Sequence, residues 1–328
     1  MKKYIFYTLL LAIFASITFT SCKYEDDCDC SGSEPLAYET LTSYLKSINM
    51  DIDHVLKNAD DQKFVMGAPA DGDLSSKWIM DIRGAADFAS AHIEGANNVA
   101  FKDILTAAAG ADKPIIVVCY TGQTACYATS LLRLYGYHDA QALKWGMSGW
   151  NSQFDKWTPN CKDLTNSSNW TTSEASAGSF DAPNWTSTST NGADILAERV
   201  EAVVAAGFKT ASGADVLATP GNYYINNYFS ADHYSGFGHV NGAVRVNPLM
   251  IDDCSKLDPN GKVVTYCYTG QTSAVLTAYL NVLGFDAYSL TFGMNGMSHT
   301  NSFWEAGGVT NHWGYDSNPK SLPTVPSN

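Results

Sequence analysis

Cys119-Tyr120-Thr121-Gly122-Gln123-Thr124 recurs, residue for residue, as Cys267-Tyr268-Thr269-Gly270-Gln271-Thr272. Each copy follows a short apolar run, 115–118 in one case and 263–266 in the other, and each precedes a segment that reads as a helix ending in Gly136 or Gly284. A thiol at the end of a buried strand, on a small polar loop that opens a helix, is placed to react. The loop N–H groups and the positive helix end both favour thiolate.

The repeat extends outward from the loop. His92-Ile93-Glu94-Gly95-Ala96 corresponds to His239-Val240-Asn241-Gly242-Ala243, and Trp145-Gly146-Met147 to Phe292-Gly293-Met294, in the same order and at an offset of 147 or 148 residues. That period has the size of a whole domain, not of a solenoid repeat. The chain therefore reads as one cysteine-centred domain, duplicated and diverged.

Composition sets outer bounds. The 328 residues, 45% apolar and 16% charged, are enough for two soluble cores. A formal charge of −13 argues against nucleic acid as a partner and against an unaided hold on anionic lipid. Any anion site must be local. Residues 1–21 combine a basic start, Lys2-Lys3, with an apolar run, and end at Phe19-Thr20-Ser21 before Cys22. They resemble a bacterial lipoprotein signal, which implies cleavage before Cys22 and lipidation of that cysteine. The expectation is a membrane partner through an N-terminal lipid anchor, in the cell envelope, on the periplasmic or surface face of the outer membrane. Residues 22–35 read as an acidic tether. Domain one is expected at 36–157, a Ser/Thr/Asn-rich linker at 158–190, domain two at 191–315 and a loose, proline-containing tail at 316–328. In the linker, Trp170 and Trp185 read as anchors that pin it to a domain surface.

Within domain one, strands are expected at 78–81, 98–101, 115–118 and 140–143, with helices at 41–47, 53–58, 86–91 and 125–135. Domain two begins with an amphipathic helix at 195–206, stopped by Gly207, and has strands at 222–226, 244–246 and 263–266. Strands alternating with helices predict an α/β fold with a parallel sheet covered on both faces.

Four segments in order, Ile79-Met80-Asp81-Ile82-Arg83, His92–Ala96, the cysteine loop, and Leu143-Lys144-Trp145-Gly146-Met147-Ser148-Gly149-Trp150, resemble a rhodanese domain. Domain two carries the later parts, through Gly293-Met294-Asn295-Gly296-Met297. The resemblance implies two rhodanese-like domains, each a central parallel sheet with helices on both faces. It implies a sulfurtransferase, similar to those acting on thiosulfate or mercaptopyruvate, whose cysteine takes sulfane sulfur from a small donor and hands it to a thiol or cyanide-type acceptor. Cys119 and Cys267 are then the catalytic residues, and no cofactor or metal is expected.

The residues suit that chemistry. A persulfide anion needs a cradle of N–H donors, which Tyr120, Thr121, Gly122, Gln123 and Thr124, and likewise Tyr268, Thr269, Gly270, Gln271 and Thr272, can supply. Gly122 allows the loop to curl, and Thr124 is expected to cap the helix and turn its hydroxyl toward sulfur. Phosphatases of the Cys-x5-Arg type need an arginine at the seventh loop position; that position is Ala125 here and Ser273 in the second copy. Lys144 is a candidate anion contact, with Thr291 as its uncharged counterpart.

The resemblance also implies that Asp81 and Arg83 form a bracing ion pair, replaced in domain two by Asn226 and Tyr228. His92 and His239 read as backbone hydrogen-bonding residues. Cys126, matched by Ala274, reads as a small buried side chain, with a resolving thiol as the alternative. With Cys22 set aside an odd number of cysteines remains, so in an oxidising compartment most would pair and at least one would stay free. Cys119 and Cys267 are the candidates to stay free, while Cys28, Cys30, Cys161 and Cys254 have no assigned partner. Two rival readings stand beside sulfur transfer: a rhodanese-like binding or sulfur-carrier module without turnover, and an envelope thiol redox protein. The absence of Cys-x-x-Cys counts against the last.

Overall fold

In the computed structural model, which describes residues 36–314 and 319–327, the first domain carries β1 (Val65–Met66), β2 (Trp78–Asp81), β3 (Asn97–Asn98), β4 (Ile115–Val118) and β5 (Gln141–Leu143). They form one sheet in the order β1-β5-β4-β2-β3, parallel throughout. β4 is apolar at every position because both of its faces are covered. Ile115 and Val117 join one core cluster and Ile116 and Val118 another, as strand alternation requires.

The rest of the chain adds β6 (Trp170–Thr171), β7 (Thr210–Ala211), β8 (Tyr224–Asn227), β9 (His239–Val240), β10 (Lys262–Tyr266) and β11 (Asp286–Leu290). The second sheet runs β7-β11-β10-β8 and is also parallel; β6 pairs antiparallel with β9. Val263 and Val264 of β10 again point into different core clusters.

The helices that follow the two cysteine loops, Gln123–Leu134 and Gln271–Leu283, pack along each other and join the domains. Both are buried nearly all round, and their apolar side chains belong to one cluster shared by the two halves. Ser130 Oγ donates to the Val275 carbonyl at 3.2 Å, and Asn281 Nδ2 to Tyr127 Oη at 3.2 Å. Asp51 adds a second tie by accepting from Ile251 N at 3.1 Å and from Tyr279 Oη at 3.0 Å.

Three expectations need correction. The strand expected at 244–246 reduces to isolated bridges of Val244 with Asn226 and Ala175; the paired strand lies earlier, at β9. The tail is not loose over 319–327. Val325 and His92 exchange backbone hydrogen bonds at 2.9 Å, Trp150 Nε1 donates to Pro323 O at 2.8 Å, and Leu322 is buried. The strand expected at 98–101 is β3, only Asn97–Asn98, and Phe101–Asp103 forms a 3-10 turn instead. The two linker tryptophans do pin the 158–190 segment along domain two: Trp170 pairs in β6, and Trp185, its Nε1 donating to Leu283 O at 3.0 Å, packs under Arg199. The expectations at Cys22, Cys28 and Cys30 lie outside the described residues.

Candidate active site

Cys119 is the first residue beyond β4, and the helix Gln123–Leu134 starts only four residues later. The chain makes that reversal through Gly122, with φ +82°. The curl brings N–H groups onto sulfur: Gly122 N lies 3.2 Å and Ala125 N 3.4 Å from Cys119 Sγ. Burial, at 6% exposure, pushes the Cys119 thiol up; the N–H groups of Ala125, Thr121 and Gly122 act the other way, and the Asp81 carboxylate adds to the rise.

The N–H groups face inward because the carbonyls are held elsewhere. Met147 N donates to Cys119 O at 2.8 Å. Ser148 donates to Tyr120 O through its N at 2.9 Å and its Oγ at 2.7 Å. Thr121 O accepts from Trp157 Nε1 at 3.2 Å and from Gln271 Nε2, of the other domain, at 3.0 Å. The Gly-Met-Ser segment is thus a brace for the loop. Gly146, at φ +61°, lets it approach: a Cβ there would stand 2.3 Å from Cys119 O and 2.7 Å from Gly122 N.

The second loop repeats the design with different neighbours. Ser273 N donates to Cys267 Sγ at 3.3 Å. Met294 N holds Cys267 O at 2.9 Å, and Asn295 Nδ2 holds Tyr268 O at 2.8 Å. Where the first loop has Ala125, Ser273 brings a hydroxyl 3.7 Å from Cys267 Sγ, itself 2.8 Å from Ser289 Oγ. Cys267 is 2% exposed.

Thr124 and Thr272 do not act as expected. The helices begin with Gly122 and Gly270 at the cap positions, so both threonines lie inside the first turn. The hydroxyls that work in the loops are one position before each glycine: Thr121 Oγ1 accepts from Gln123 Nε2 at 3.1 Å, and Thr269 Oγ1 accepts from Gln271 N at 3.2 Å.

Asp81 and Arg83 meet face to face. Arg83 Nη2 lies 2.7 Å from Asp81 Oδ2 and Nε 3.0 Å from each carboxylate oxygen, with both side chains 1% exposed. The guanidinium lies 5.2 Å from the Tyr120 ring centre and so supports the loop from beneath. The domain-two counterparts are not Asn226 and Tyr228. Asp81 pairs with Val118, and Asn227 with Tyr266, each partner directly preceding its cysteine. The equivalent pair is Asn227 and Phe229, and Phe229 stacks on Tyr268 at 4.3 Å and 7°. A one-residue slip puts a strand side chain on the wrong face.

Lys144 lies with Nζ 5.3 Å from the Trp145 ring centre. Lys156, which the sequence reading passed over, holds its Nζ 5.5 Å from the Tyr120 ring centre. No motif marks Lys156; it arrives through the turn that also makes Lys156 N donate to Ser148 Oγ at 3.0 Å. Trp145, Trp157 and Trp313 cluster against the two loops together with Phe292. His92 Nδ1 donates to Phe88 O at 2.8 Å, and His239 sits between the carbonyls of Tyr234 and Ser173. Cys126 is fully buried, and burial raises its thiol well above the ordinary range. Among the described residues Cys119, Cys126, Cys161, Cys254 and Cys267 are all free thiols.

Comparison with known proteins places the chain in a family. The family model "Rhodanese-like domain" matches residues 62–153 and again 229–300. The thiosulfate sulfurtransferase GlpE of Shewanella oneidensis is 33% identical over 81 residues, 24% of this chain and 80% of that protein. Its namesake from Pseudomonas fluorescens strain SBW25 is 34% identical over 79 residues, 23% of this chain and 72% of that one. A solved thiosulfate sulfurtransferase from Pseudomonas aeruginosa is 16% identical, covering 78% of this chain and 46% of its own, with a TM-score of 0.27. With the model matched once in each half, the chain belongs to the rhodanese-like sulfurtransferase family and carries two such domains in tandem.

Proposed function

We propose that this protein moves sulfane sulfur from a small donor to a thiophilic acceptor through a persulfide on Cys119, with Cys267 as a second sulfur-accepting thiol. The observation that carries the reading is the cradle at Cys119, two N–H groups within 3.4 Å of Sγ on a loop whose carbonyls are all engaged elsewhere. With thiosulfate, the Cys119 thiolate attacks the outer sulfur. The new S–S bond forms as the donor's S–S bond breaks, and sulfite leaves with the electron pair. The acceptor, cyanide or a thiolate, then takes the terminal sulfur and returns Cys119 as thiolate. In the persulfide state the negative charge sits on the added sulfur, and the N–H groups that now converge on Cys119 Sγ line the space beside it. The relatives named thiosulfate sulfurtransferase make thiosulfate the first donor to test, with mercaptopyruvate and polysulfide next. The exposed Lys156 cation beside Tyr120 favours the approach of an anionic donor to the first loop, whereas the Arg83 charge is taken up by Asp81.

Steady-state turnover of Cys119→Ser is expected to fall by about 10³-fold or more, as removal of a nucleophile does. Cys267→Ser is expected to retain most of the activity. Full turnover in Cys119→Ser together with its loss in Cys267→Ser would reverse the ranking of the two sites. A carrier or binding role for domain two is the second reading, and the replacement of the buried ion pair by Asn227 and Phe229 favours it. The lipoprotein-like residues 19–22 support the further proposal that a lipid on Cys22 anchors the protein in the cell envelope; incorporation of labelled fatty acid, lost in Cys22→Ser, tests that.

A further inference from the structure

Gln123 and Gln271 are 4% and 3% exposed although each opens a helix with a polar loop before it. They are buried because each reaches into the other domain. Gln271 Nε2 donates to Thr121 O at 3.0 Å, and Gln123 Oε1 accepts from Phe292 N at 2.7 Å. The fit is close from both sides. A Cβ at Gly122 would stand 2.4 Å from Gln271 Nε2, and one at Gly270 would stand 2.3 Å from Gln123 Oε1.

The two contacts land on parts that aim sulfur-binding groups. Thr121 O belongs to the peptide that carries the Gly122 N–H, the donor 3.2 Å from Cys119 Sγ, so holding that carbonyl sets the direction of that N–H. Phe292, at φ +61°, opens the brace whose Met294 N holds Cys267 O at 2.9 Å. Gln123 also ties its own loop, through Nε2 to Thr121 Oγ1 at 3.1 Å.

We propose that each glutamine is a positioning residue for the other domain's cysteine, so that the two thiol loops form one coupled unit. Gln271 aligns the cradle of Cys119, and Gln123 aligns that of Cys267. Duplication has therefore produced more than two independent sites: neither cradle is complete without a side chain from the other half.

The test uses the full chain and reads alkylation of Cys119 by iodoacetamide against pH, with the modified peptide identified by mass. Gln271→Ala and the volume-conserving Gln271→Met are compared with wild type. Both are expected to shift the Cys119 alkylation midpoint upward by about one pH unit, the scale of one lost hydrogen bond to the loop that holds the anion. Gln123→Met is expected to shift Cys267 in the same way. Urea unfolding is measured alongside. A Gln271 variant that loses stability but keeps the wild-type Cys119 profile would overturn the proposal, as would one unchanged in both. Sulfur loading from thiosulfate is the second readout, expected to drop about tenfold at Cys119, and this readout alone rests on the sulfur-transfer reading. Alkylation needs no sulfur donor, so failure of sulfur transfer in wild type and failure of the coupling are read separately.

Discussion

Gly146→Ala is expected to silence Cys119 and to destabilise the protein by roughly 3 kcal/mol or more, the combined scale of a left-handed non-glycine residue and an overpacked backbone contact. Gly146 holds φ +61°, and its added Cβ would meet Cys119 O at 2.3 Å, Tyr120 C at 2.6 Å and Gly122 N at 2.7 Å. These are backbone atoms, with no flexible side chain to give way. Either the brace withdraws or the loop does, and in both cases the carbonyl that Met147 N holds at 2.8 Å is released. Gly95→Ala is the control. Its φ is +78°, but nothing lies within 4 Å of the added atom, so about 1 kcal/mol is expected with Cys119 still reactive. Urea unfolding and Cys119 alkylation check both. A Gly146→Ala protein with wild-type alkylation would show that the brace does not set the loop.

Asp81→Asn is expected to cost about 3–5 kcal/mol, the usual penalty for leaving one partner of a buried ion pair alone. The pair is 1% exposed on both sides, so bulk solvent is poorly placed to replace the lost carboxylate. Removing both charges together is a different matter. Domain two does so, with Asn227 and Phe229 at these positions and Phe229 stacked on Tyr268 as Arg83 stands beneath Tyr120. The double variant Asp81→Asn/Arg83→Phe is therefore expected to recover at least half of the loss seen in Asp81→Asn. Its urea midpoint falling below that of the single variant would mean that Arg83 contributes through its 2.8 Å bond to Ala91 O more than through Asp81.

What the sequence displays is what burial writes into it. β2, β4 and most of β10 are legible because a parallel strand covered on both faces must be apolar at nearly every position. β11 is not, because its inward Ser289 is satisfied by Ser273 and the run Asp286–Leu290 looks polar. β1 and β7 are two-residue edge strands, too short for any pattern. The cysteine loops were visible through their repetition and spacing. The register of β8 was not, because Tyr-Ile-Asn-Asn offers two successive asparagines and only pairing with Thr265 and Tyr266 decides between them. The tail's attachment was hidden by its prolines, although Leu322 and Val325 were apolar clues. Lys156 and the exchanged glutamines had no local signal at all. They depend on how a turn folds back and on how the two domains meet.

The most direct measurement is the intact and peptide mass of the soluble protein after brief exposure to thiosulfate. The account predicts a gain of one sulfur on the peptide containing Cys119, absent in Cys119→Ser and removed by cyanide. Wild-type protein that gains no sulfur at Cys119 from thiosulfate, mercaptopyruvate or polysulfide would contradict it.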